Sequence, residues 1–165
     1  MTMDRALRAV LGIFVTLILG GIVGIAVACG PTKSIYRDDP VDAAHVDHAL
    51  ARYSKLVRKM DHARIAAMFA SGGELWSAGQ APIHGPTAIR SFLEGFAGYH
   101  VLANHTDASR TTVVGDSAVQ VGTYRQRVRT PEGKVLNVSG GFEAHWVRGP
   151  DGAWLIQGMG TTPNR

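Results

Sequence analysis

Tyr53, Glu143, His145 and Cys29 are the residues whose type and setting invite chemistry. Within Gly140-Gly141-Phe142-Glu143-Ala144-His145-Trp146, strand alternation sends Glu143 and His145 to one face. Phe142, Ala144 and Trp146 then share the other. A carboxylate and an imidazole on one face can act as an acid/base pair if that face is enclosed, and are merely solvated if it faces water. Tyr53 sits on an apolar helical stripe, where a phenol is either a core ring with one hydrogen bond or a donor to a bound oxygen. His45 and His48 stand three apart on a helix, but no third ligand is within sequence reach, so no metal site is expected. His84 suits a turn hydrogen bond. Ser71 and Ser77 lack a Ser/His/Asp arrangement or a nucleophile elbow, which removes support for nucleophilic hydrolysis. No glycine loop for phosphate is present, and no cofactor is expected.

Cys29, the only cysteine, closes an uncharged apolar run from residue 9 to residue 30. Asp4, Arg5 and Arg8 precede the run, and Ala26-Val27-Ala28 leads into the cysteine. A basic start, an apolar middle and small residues at the end make a bacterial export signal. Small residues before Cys resemble a lipobox, in which Cys29 becomes the acylated amino terminus after cleavage. The same run is about 20 residues long, enough to span a bilayer as an uncleaved anchor. Either way the expectation is an extracytoplasmic chain tethered to a membrane, with residues 1–28 as signal or anchor and 29–38 as tether.

What remains is enough for one domain with a real core. Without residues 1–28 the chain keeps 15 basic against 12 acidic residues, a net +3. Those charges are scattered, apart from Arg125-Gln126-Arg127-Val128-Arg129, a ladder suited to one solvated strand face, and no nucleic-acid role is expected.

The elements that must position the candidates follow from periodicity. Asp39-Pro40 opens a helix in which Val46, Leu50, Tyr53 and Val57 recur on one face. Asp61 caps a second helix carrying Ile65, Met68 and Phe69, broken at Ser71-Gly72-Gly73. Glu74 to Ser77 reads as a short strand, and Gly85-Pro86 opens a third helix with Ile89, Phe92, Leu93 and Phe96. Residues 111–114, 118–128, 135–147 and 154–159 are strand-like, separated by Gly115-Asp116, Pro131-Glu132-Gly133 and Pro150-Asp151-Gly152. Helices first and consecutive strands afterwards predict an α+β fold.

With these elements in place, residues 39–162 resemble the NTF2-like (cystatin-like) superfamily, most closely its ketosteroid isomerase and SnoaL-like branch. The resemblance is carried by Ala51-Arg52-Tyr53, Met68-Phe69-Ala70, Pro82-Ile83-His84-Gly85 running into Ala88-Ile89-Arg90-Ser91-Phe92, and Gly152-Ala153-Trp154 before the last strand. It implies a cone of three N-terminal helices packed on a curved antiparallel sheet, enclosing a pocket. It also implies that Tyr53 matches the helix tyrosine that donates to an enolate oxygen. Glu143 matches the second donor if the Gly149-Pro150-Asp151-Gly152 turn is one residue longer here, and Ala144 falls there otherwise. The isomerase base falls at Trp76 or Ser77, neither of which can serve, and Ser71 and Gly72 replace the acidic pair after Ala70.

The expected pocket is lined by Tyr53, Trp76, Phe92, Phe96, Tyr124, Glu143, His145 and Gln157, and holds a small apolar or amphipathic, lipid-like ligand. Two alternatives stand beside this reading. One is an isomerase, cyclase or dehydratase using Tyr53 with Glu143 or His145. The other is a scaffold that forms a homodimer through the sheet face, with Arg125, Arg127 and Arg129 on or near it.

Overall fold

A computed structural model describes residues 40–77 and 79–164; the signal or anchor, the tether and Cys29 lie outside the described residues. Helix α1 (Pro40–Lys59) buries Val46, Leu50 and Leu56, with Tyr53 and Val57 half-buried beside them. It ends in a Schellman closure: the Met60 amide donates to Val57 O at 3.0 Å and the Asp61 amide to Leu56 O at 3.2 Å. Asp61 then caps the short α2 (His62–Ala66), its carboxylate accepting from the Arg64 amide at 3.1 Å. Helix α3 (Gly85–Glu94) sinks Ile89 completely into the core.

Six strands complete the domain, β1 (Phe69–Ser77) and β2 (Ile83–His84) between α2 and α3, then β3 (His100–Val114), β4 (Ser117–Arg129), β5 (Val135–Arg148) and β6 (Trp154–Pro163). They form one sheet in the order β2-β1-β6-β5-β4-β3. The sheet is mixed rather than wholly antiparallel, because β1 runs parallel to β6 while every other neighbouring pair is antiparallel. Strand β1 also starts earlier than the periodicity suggests. Phe69 leaves the helix and pairs with Ile156, since two buried strand contacts outweigh the helical spacing of Met68 and Phe69. Strand β3 likewise begins at His100, eleven residues before the clean alternation at Thr111.

Helix α1 packs chiefly along β3, and β3 and β4 come closest together at Gly122. A Cβ there would lie 1.9 Å from Asp107 O and 2.7 Å from Phe142, opposite a register shift between Ala108 and Arg110. A bare backbone thus lets β3 and β4 approach where the sheet bends.

Polar ties fix the helix in this cradle. Gln120, wholly buried, donates to Asp47 at 2.7 Å, and Thr111 donates to the same carboxylate oxygen at 2.8 Å. Arg148 joins Asp42 at the start of α1 (2.8 Å) to Asp116 in the β3–β4 turn (3.0 Å) and lies over the Trp154 ring. Its guanidinium holds the Asp42 carboxyl below the ordinary range through a direct hydrogen bond. Among the described residues no helix is long and apolar enough to cross a membrane.

Candidate functional site

The C-terminal half of α1, α2, α3 and the inner face of the sheet enclose a cavity of about 210 Å³. Its walls are mostly apolar, from Leu50, Ile65, Leu75, Phe92, Phe142 and Met159 among others. Burial parity explains which residues face it. On β4 the even positions Tyr124, Gln126 and Val128 point inward, and on β5 Leu136, Val138 and Phe142 do so. On β3 a register shift between Val101 and Ala103 changes the parity, so Val101 is followed on the cavity side by Asn104 and Thr106.

Tyr53, Phe92, Phe96 and Tyr124 therefore border the cavity. Phe96 stacks edge-on against Phe92 and Tyr99 at 5.3 and 5.8 Å between ring centres, closing one side. Trp76 also borders it, but its indole does not fill it. Trp76 pairs with Gly160 and its ring lies across Gly158 and Gly160 on the opposite face, edge-on to His145 at 6.1 Å.

Three expected pocket residues lie elsewhere. Glu143 and His145 stand on the outer face, 53% and 44% exposed, with Nε2 of the histidine 2.5 Å from a carboxylate oxygen. They face outward because Phe142, Ala144 and Trp146, on the other side of the same strand, fill the core. Gln157 is the extra residue of a bulge between His145 and Trp146 on the partner strand, and its amide donates outward to Gly72 O at 3.3 Å. An acid/base role for Glu143 or His145 inside the pocket is thereby corrected, and so is a pocket role for Gln157.

The cavity's chemistry comes from other groups. Ser77, at the end of β1, borders it with an Oγ that is buried and has no hydrogen-bond partner. Asn104 donates its amide to Ser54 O at 3.2 Å, which turns Oδ1 to the interior as an unpaired acceptor. His62, the first residue of α2, leaves Nε2 buried and unpaired at the same wall. The Tyr53 hydroxyl has no hydrogen-bond partner among the described residues, and burial pushes its pKa up to about 12. Burial also raises that of Tyr124, against a hydrogen bond with Thr161 that lowers it. Both phenols thus stay protonated donors at neutral pH. Sequence reasoning missed Asn104 because β3 lacks alternation before Thr111, and missed His62 because it follows a helix cap where polar residues are ordinary. No aspartate or glutamate borders the cavity among the described residues, nor do three metal-ligating side chains gather anywhere among them.

This geometry is shared with known folds. Over 75% of its length the chain superposes on 97% of a ketosteroid isomerase-like protein from Erwinia carotovora atroseptica, with a TM-score of 0.68 at 14% identity. An NTF2-like protein with a cystatin-like fold from Novosphingobium aromaticivorans gives 0.62 at 20% identity, covering 74% of this chain and 82% of that one. ActVI-ORFA from Streptomyces coelicolor gives 0.63 at 20%, covering 73% and 96%. At these identities the likeness concerns the fold. No curated protein matches the chain in sequence. The description of the SnoaL-like domain matches residues 41–160, nearly the whole described chain, and the protein belongs to that family, in the ketosteroid isomerase and SnoaL branch of the NTF2-like fold.

Proposed function

We propose that the domain binds a small, largely apolar molecule in its cavity and holds it through a few neutral polar groups. The observation that carries this reading is an apolar cavity bordered by residues with unpaired polar atoms: the buried Ser77 Oγ, Asn104 Oδ1 and His62 Nε2, and the Tyr53 hydroxyl. Buried polar atoms without partners are costly in a folded protein, by roughly 1–3 kcal/mol each, and a ligand that pairs with them recovers that cost. The expected ligand therefore carries an acceptor for Tyr53 and a donor for Asn104 on an apolar body. Carboxylate-driven proton transfer has no support, because no carboxylate borders the cavity among the described residues and the position of the isomerase base falls at Trp76 or Ser77. We place the domain outside the cytoplasm, held by the N-terminal run either through acylated Cys29 or as a retained helix. That placement rests on the sequence alone.

A second reading is favoured by one observation. His62, whose ring Nε2 is buried without a partner, borders the same cavity as the Tyr53 phenol, so a base and an oxygen-stabilising donor lie on one cavity. It would abstract a proton beside a carbonyl, with the negative charge passing to the oxygen facing Tyr53.

The bicyclic ketone 2-tetralone separates these readings in deuterated buffer. Binding without loss of its α-proton signal beyond the buffer rate supports the binder. Exchange that disappears in His62→Gln supports proton transfer. No binding at millimolar ketone contradicts both.

A further inference from the structure

A basic hollow lies beside the cavity. It is about 320 Å³ in volume and shares Met60, His62, Phe96, Tyr99 and Val101 with the cavity as lining. Its outer walls add Arg58 and Lys59 from the last turn of α1 and His100 from the start of β3. Arg129 stands opposite His100 in the β3–β4 register, the last member of the basic ladder. None of these four cationic or imidazole side chains has an ion-pair partner among the described residues.

The acids that could neutralise this rim are committed elsewhere. Asp61 turns one carboxylate oxygen to the Arg64 amide and the other to the Arg64 guanidinium at 3.6 Å. Glu94 is bound to Arg90 at 2.7 Å. Cations in the last turn of a helix complement its dipole, and that alone would explain Arg58 and Lys59 as solvated residues. It does not explain Met60. At the point where the two hollows meet, Met60 adopts φ 53°, the left-handed region that a helix end usually gives to glycine. A glycine would relieve this strain, but it would remove the flexible thioether chain from the threshold. The Schellman ending accounts for the backbone, and the choice of methionine there keeps a flexible apolar chain beside both hollows.

We infer that the ligand is an anionic amphiphile, whose carboxylate rests between Arg58 and Lys59 while its apolar body passes Met60 into the cavity. This rests on the binding reading above and narrows it. The two cations supply charge-assisted hydrogen bonds from exposed positions, where water and salt screen them. The apolar body supplies most of the affinity, and the head group sets which end enters first.

The test uses matched acids and neutral analogues: 2-naphthoate with 2-naphthol, and octanoate with 1-octanol. The full chain is held in phosphatidylcholine nanodiscs, and equilibrium dialysis against empty nanodiscs subtracts partition into lipid. The expected result is that at least one acid binds fivefold or more tightly than its neutral partner. That preference should fall to near unity in the Arg58→Gln/Lys59→Gln double variant, with unfolding temperature unchanged as a check on the fold. The aromatic pair and the aliphatic pair distinguish a ring acid from a lipid-derived acyl chain. Equal binding of acid and alcohol, or a preference that survives the double variant, overturns the anionic assignment and leaves the binding reading standing. Failure of all four probes to bind overturns both.

Discussion

Ser77 and Tyr53 show how single groups define this cavity. Ser77 keeps a buried hydroxyl with no partner, so Ser77→Ala removes an uncompensated group. The expected outcome is an unfolding temperature equal to or above that of the parent without ligand. Ligand affinity should drop about two- to twelvefold, the equivalent of one hydrogen bond of 0.5–1.5 kcal/mol. Thermal unfolding with and without ligand, beside a binding titration, reads both. Tyr53 gives a pH signature. Its phenol, pushed up to about 12 by burial, keeps a proton that the unfolded chain sheds near pH 10. Stability is therefore unaffected below about pH 10 and declines between there and pH 12, by on the order of 2 kcal/mol. Urea unfolding at pH 8 and pH 11 should show a smaller alkaline decline in Tyr53→Phe than in the parent. An equal decline would place the phenol in an ordinary aqueous setting. Tyr53 was legible in the sequence as an inward residue because Val46, Leu50 and Val57 share its helical stripe. The facing of Glu143 was not: alternation divides a strand into two faces without saying which one the core takes, and Trp146 and Phe142 decide it only once the sheet has curled.

At the scale of elements, local signals were readable and long-range ones were not. Pro40 opens α1 and Gly85-Pro86 opens α3, as turn and cap chemistry predicts. The pairs β3–β4, β4–β5 and β5–β6 follow from consecutive strands joined by tight turns. The parallel contact of β1 with β6 joins segments about 80 residues apart and has no local trace. Parity changes at the bulges were equally hidden, and they decide that Asn104 faces the cavity and Gln157 does not. The β1–β6 contact carries its own prediction. Trp76 lies so close over Gly160 that a Cβ there would sit 1.9 Å from its Nε1. Gly160→Ala must lift the indole off the strand and away from His145. The expected cost is about 1–3 kcal/mol in chemical denaturation, with a red-shifted tryptophan emission. An unchanged midpoint would mean that the indole is not seated on these glycines.

For the molecule as a whole, two halves of one cone do different work. The end that carries Asp42, Asp116 and Arg148 is locked by ion pairs, while the opposite end of α1 opens into the cavity and its basic mouth. The central claim is that the cone is a receptacle and not a core filled by its own aromatics. Native mass spectrometry of the purified full chain, followed by organic extraction, tests it most directly. The account predicts one small apolar or amphipathic molecule per chain, retained through purification and displaced by added ligand. A chain that carries nothing and takes up neither ring compounds nor acyl chains when these are supplied would contradict it.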